Sequence, residues 1–197
     1  MTNRTVLYGI GVSAGTASGP LAVVRPAVGV DDNEPAAVEG DSERVKAALQ
    51  EVAESLKQRA EHANSATSKQ VLEATATLAT DRGLIRGIEK ELKKGTGVTH
   101  AIHDAVEVYA GKLRKLGGYM AERVTDLYDI RDRATARLRG LPEPGIPDLT
   151  EPSILIAHDL APAETATLDK NFVLGIVTEA GGATSHTAIL AAQLGIP

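Results

Sequence analysis

Among 197 residues, 26 acidic side chains outnumber 21 basic ones, giving a formal net charge of −5. That balance argues against non-specific nucleic-acid binding, which relies on Lys and Arg to neutralise phosphates. The absence of cysteine excludes disulfides, thiolate-bound zinc and thiol nucleophiles together, and with one Phe and no Trp the core has to be built from Ala, Leu, Val and Ile.

The N-terminal stretch MTNRTVLYGIGVSAG has no apolar run typical of a signal peptide. No apolar stretch approaches the ~20 residues that cross a bilayer. A soluble cytoplasmic protein, without membrane or nucleic-acid contacts, is the expectation. The first segment reads as strand, turn, strand: TVLYGIGV (Thr5–Val12), a Gly/Ser-rich turn, then PLAVV (Pro20–Val24). Gly9, Gly11 and Gly15 do not fit G-x-G-x-x-G, and no helical pattern follows them, so no dinucleotide loop is read here.

From Asp41 to Gly140 the period changes to that of helices. Val45, Leu49, Val52, Leu56 and Ala60 form one stripe, with Asp41 or Ser42 as the expected cap. A second helix carries Val71, Leu72, Thr75 and Leu78 on one side, with Gly83 near its end. Ile85, Ile88 and Leu92 mark a third, closed by Lys93, Lys94 and Gly95. Ile102, Val106, Tyr109, Leu113 and Leu116 mark a fourth, and Met120, Val124, Leu127, Ala134 and Leu138 a fifth. Each stripe must be buried on a neighbour, and rods joined by short Gly-containing connections predict an antiparallel four-helix bundle.

Leu141–Pro152 contains four prolines and reads as a linker. The pattern then turns to α/β: strand SILIAH, short helix DLAPAETATLD, strand FVLGIVTEA and helix TSHTAILAAQLG. The expected fold is an α/β domain made from both ends, residues 1–30 and 146–197, with a helical domain at 31–145 inserted between them.

The segment GGATSHTAIL concentrates the chemistry. Gly181 and Gly182 permit a sharp turn, Thr184 or Ser185 suits the N-cap, and His186 falls in the first helical turn. A helix N-terminus offers unpaired N–H groups and partial positive charge to an anion such as phosphate. A neutral imidazole there can attack phosphorus and hold the group as a phosphoramidate. The residues alone leave two readings open: a surface or capping histidine, and a phosphocarrier.

GGATSHTAILAAQLGIP resembles the phosphohistidine signature of the phosphoenolpyruvate-utilising enzymes. HDLAPAETATLD, GIGVSAGTASGPLAV and AERVTDLYDIRDRATARLRG are similar to segments of the enzyme I branch, so the resemblance covers nearly the whole chain. It implies a swivelling phosphohistidine domain with an inserted bundle that docks the phosphocarrier protein HPr. It implies that His186 is phosphorylated through Nε2, that the Thr165 hydroxyl orients its ring, and that Gly181, Gly182, Thr184 and Ser185 form the turn and cap. Leu78 and its neighbours match the docking face. Ala183 and Ala192 depart from the basic residues often found there, and Thr75 from a histidine.

On the same resemblance, 197 residues make a fragment without the phosphoenolpyruvate-binding barrel, monomeric where longer members dimerise through that barrel. Phosphoryl exchange with HPr is expected. No cofactor is expected for the fragment, and Mg²⁺ for the full-length enzyme. Alternatives are a regulatory, nitrogen-related paralogue and a non-catalytic helical binding module. Elsewhere, His100 and His103 with Asp104 lack a third ligand and read as a solvated helical face. His62 and His158 are given no role, and no metal site is expected.

Overall fold

The computed structural model describes residues 6–63, 66–147, 149–160, 164, 168–182 and 185–197, without the side chains of Thr67, Ser68 and His186. It is helical with a small parallel sheet, and the chain divides into two compact units. Ala27–Pro144 form one; Met1–Pro26 and Gly145–Pro197 form the other.

The helical unit contains α1 (Asp41–Glu61), α2 (Ala66–Ala79), α3 (Arg82–Leu92), α4 (Val98–Leu116), α5 (Gly118–Glu122) and α6 (Val124–Leu138). α1 packs on α2 and α6, and α4 packs on α3 and α6. Leu49, Leu56, Leu84, Ile88, Ile102, Leu127 and Ile130 are fully buried between them. Each such side chain contributes about 1.5–3 kcal/mol by leaving water. Ala53, Ala76, Ala101, Ala110 and Ala134 are buried as well; their small volume lets neighbouring backbones approach.

Several helix details differ from the sequence reading. Gly40, not Asp41 or Ser42, is the N-cap of α1, in the left-handed region at φ 95°. The Asp41 carboxylate instead accepts the N–H of Val38 at 2.8 Å. Gly83 does not close α2 but lies in the first turn of α3, whose cap is Asp81. Val71 is exposed, while Thr75, Ala76 and Ala79 carry the buried side of α2. Leu116 and Met120 also face solvent, because α4 ends at Leu116 and α5 is a separate short helix.

The α4 cap comes from far away in sequence. Gly97 has no side chain to offer, and the Glu34 carboxylate accepts the N–H groups of Thr99 and His100, both at 2.9 Å. A Cβ at Gly97 would lie 2.4 Å from that carboxylate, so glycine leaves the space it occupies.

In the second unit, β1 (Leu21–Val23), β2 (Ser153–Ala157) and β3 (Val173–Thr178) form a parallel sheet in that order. Leu21 pairs with Ile154 and Val23 with Ile156, so segments from both ends of the chain share one sheet. Ile154 pairs with Gly175 and Ala157 with Thr178. Helix α7 (His186–Leu194) closes the unit, and its Ala191, with Ile196 beyond, shares a core with Ala22, Val24, Leu155, Ala157, Leu160 and Val173.

The strand expected at Thr5–Val12 is not formed: residues 6–12 are irregular, with Leu7 85% and Tyr8 97% exposed. Alternation favours a strand only where a ladder partner exists, and among the described residues no strand pairs with this segment. The short helix expected at DLAPAETATLD falls mostly outside the described residues.

Candidate functional site

The site is the turn between β3 and α7. Two backbone bonds beyond the sheet aim it: the Glu179 N–H donates to Ala157 O at 3.0 Å and the Ala180 N–H to His158 O at 2.8 Å. Gly181 then takes φ +92°, and an added Cβ would lie 3.3 Å from the Ser185 side chain. Among the described residues of the turn, this is the position where glycine is required by conformation. Gly182 is exposed, and its carbonyl accepts the Ser185 N–H at 2.9 Å.

Ser185 is the N-cap of α7. Its Oγ accepts the Ala188 N–H at 3.2 Å, and its carbonyl accepts the Ile189 N–H at 3.1 Å. The backbone N–H groups of His186 and Thr187 have no partner among the described residues. Helix geometry gives these N–H groups no acceptor within α7, and they lie at the positive end of the helix, where an anion is favoured. His186 is the first residue of α7.

Thr187 was not singled out in the sequence. It is buried, and its hydroxyl donates to Leu160 O at 3.3 Å, tying the start of α7 to the segment after β2. At the other end Gly195 adopts the left-handed region at φ 69°, the Ile196 N–H returns to Ala191 O, and Pro197 O accepts the Ile176 N–H at 2.9 Å. The start of α7 is thus tied to the segment after β2 and its end to β3. His158, given no role from sequence, pairs through Nδ1 with Glu179 at 3.2 Å, both side chains exposed.

The structure brings Gly181, Gly182, Ser185 and the backbone of His186 into one turn. Thr165, Ala183, Thr184 and the His186 side chain lie outside the described residues. Leu78 belongs to the helical unit, in the last turn of α2, half-buried against its core.

The His100/His103 pair is not the solvated face that its spacing suggested. His100 Nδ1 lies 2.8 Å from Glu34 Oε1, and His103 is half-buried, with burial first and the nearby Arg131 charge next holding its pKa below the usual imidazole value. Among the described residues, no group of three or more His, Asp or Glu side chains is placed to hold a metal ion. No described helix is long and apolar enough to cross a membrane.

Residues 8–123 match the family described as PEP-utilising enzyme, N-terminal, and residues 149–197 match PEP-utilising enzyme, mobile domain. The chain belongs to the PEP-utilising enzymes. It is 44% identical, over 98% of its length, to the phosphoenolpyruvate-protein phosphotransferase of Streptomyces coelicolor, and covers 35% of that protein. With the protein of the same name from Listeria monocytogenes it shares 32% identity over 97% of its length, covering 34% of that chain. The chain therefore spans about a third of the length of these curated relatives. A solution structure of an Enzyme I protein superposes with a TM-score of 0.74 at 31% identity, covering 98% of this chain and 81% of the other. Within this PEP-utilising chain, the mobile-domain match encloses the whole turn and α7.

Proposed function

We propose that the chain carries a phosphoryl group on His186 and exchanges it with the phosphocarrier protein HPr, as part of a phosphoenolpyruvate-protein phosphotransferase of the sugar phosphotransferase system. The observation that carries this reading is the coincidence of the mobile-domain match with a glycine turn, a serine cap and a helix opening on histidine.

The step is an in-line transfer between two imidazoles. The Nε2 lone pair of His186 attacks the phosphorus of phospho-HPr. The new N–P bond forms as the donor N–P bond breaks, and its electron pair returns to the donor ring. Both sides are phosphoramidates of similar energy, so the transfer is reversible. Catalysis then rests on positioning and charge stabilisation. The N–H groups of His186 and Thr187 face the phosphoryl oxygens, Ser185 and Gly181 fix the turn, and Thr165 orients the ring. With alanine at 183 and 192, no basic side chain supplements the helix terminus from those positions. In this reading Mg²⁺ serves phosphoenolpyruvate rather than the exchange with HPr.

The helical unit is the docking module in the same reading, with α1, α2 and α3, α4, and α5 and α6 as the rods of an antiparallel four-helix bundle. Its partner contact centres on Leu78, half-buried and so able to touch a docked surface while packed from beneath. The test is incubation of the 197-residue chain with ³²P-labelled phospho-HPr, followed by acid and base treatment. Label lost in acid and kept in base, and absent from His186→Ala, is the expected result. Label that survives in His186→Ala would overturn the assignment.

A further inference from the structure

The corner between α2 and α3 is organised by one carboxylate oxygen. Leu78 O accepts the Asp81 N–H at 3.1 Å, which closes α2. Asp81 then turns extended and caps α3: its Oδ1 accepts the N–H groups of Gly83 at 2.7 Å and Leu84 at 3.0 Å. The same Oδ1 accepts the hydroxyl of Tyr109 at 2.9 Å. Tyr109 belongs to α4, so this one oxygen joins the start of α3 to the middle of α4, while the backbone N–H of the same residue closes α2.

Gly83 makes room for this contact. A Cβ there would lie 2.9 Å from Asp81 Oδ1 and 3.2 Å from Tyr109 Cε2. Tyr109, Leu78 and Ile85 all pack against the same buried core. Burial pushes the Asp81 carboxyl up, but the Leu84 N–H, the Tyr109 hydroxyl and the Gly83 N–H outweigh it and hold the group ionised below the usual carboxylate range. Burial, then the bond to Asp81 and its charge, push the Tyr109 hydroxyl above its usual value, so it stays a donor at neutral pH.

We infer that Tyr109 is a positioning residue for partner docking: through Asp81 it fixes where α2 ends and so how Leu78 is presented. The inference rests on the docking reading above. Leu78 sits three residues before Asp81 on a carbonyl that the corner itself holds. A corner that shifts when the hydroxyl is removed carries Leu78 with it.

A double-mutant cycle on the 197-residue chain tests it, with calorimetric titration of HPr into wild type, Leu78→Ala, Tyr109→Phe and the double variant. Phe keeps the packed ring and removes only the donor. Tyr109→Phe is expected to weaken binding about threefold to tenfold, and less than about twofold in the Leu78→Ala background, because residues that act through one another are not additive. Gly83→Ala, whose methyl displaces the ring while favouring the helix, should reproduce the Tyr109→Phe loss and keeps the test open should that variant fold poorly. If Leu78→Ala weakens binding but Tyr109→Phe and Gly83→Ala do not, or if the two losses add in full, the positioning role is wrong and the docking face stands. If Leu78→Ala itself binds as wild type, the docking face is wrong and the positioning role falls with it.

Discussion

Removing the Glu34 carboxylate should destabilise the helical unit by an amount that its surroundings allow to be worked out. The side chain is 8% exposed and accepts two backbone N–H groups at the start of α4, plus His100 Nδ1. Loss of a helix cap costs about 1 kcal/mol, and bonds to a charged, shielded acceptor are worth more than neutral ones, so Glu34→Ala should cost about 2 kcal/mol. For a unit of this size that lowers the melting temperature by about 8 °C. Glu34→Gln keeps the shape but only one acceptor oxygen, and should lose about half as much. Burial pushes the Glu34 carboxyl up, yet the His100 and Thr99 N–H groups outweigh it and hold it below the usual carboxylate range. A depressed acid stabilises fully above its unfolded value of about 4.3 and loses that contribution as pH falls through the folded value. The gap between wild type and Glu34→Gln should therefore be full at pH 7 and close in acid. Thermal melts followed by circular dichroism at 222 nm read both effects. A Glu34→Ala melt within about 2 °C of wild type at pH 7, or a gap that persists undiminished at about pH 3, would refute the reasoning.

Leu127 is fully buried between the helices, so Leu127→Ala should lower stability by about 2–5 kcal/mol, measured by urea unfolding; a loss under about 1 kcal/mol would mean the cavity collapses. Ser185→Ala removes the Oγ that caps α7 and should cost about 1 kcal/mol of local stability. It should also slow labelling of His186 without abolishing it, as read by rapid-quench phosphotransfer. An unchanged rate would mean that the cap does not set the geometry of the turn.

The helices were legible because an amphipathic stripe is written locally: Val45, Leu49, Val52, Leu56 and Ala60 are all buried where the period put them. The errors came from reading large apolar residues and passing over small ones. On α2 the buried side is Thr75, Ala76 and Ala79, which leaves Val71 outside. Asp81 was passed over as a cap because Gly83 looked like a stop, although an acidic residue just before an apolar run was a start signal. Glu34 was not legible at all, since it caps a helix more than sixty residues away. The irregular run at Val6–Val12 shows the same limit for strands, whose pattern states a preference but not a partner. At the site, the glycine turn and the Ser185 cap were readable from their order. The Thr187 hydroxyl was not, because its acceptor, Leu160 O, comes from another part of the chain.

The two units reach order by different means, and this bears on how the turn before α7 is held. In the helical unit, large buried side chains fix the helices, and ion pairs reinforce them: Arg133, almost wholly buried, reaches Asp129 and Glu143 at 2.8 Å each. Among the described residues, the core of the other unit consists of three Ala, two Val, two Leu and one Ile. These described side chains are mostly small, so directional bonds matter more at α7. Glu179 and Ala180 hold the end of β3, Ser185 and Thr187 hold the start of α7, and Ile196 and Pro197 hold its end. All but the two hydroxyl bonds are backbone to backbone. The described part of the turn is therefore set mainly by main-chain geometry, which makes Gly181, with its φ of +92°, less replaceable than Ser185.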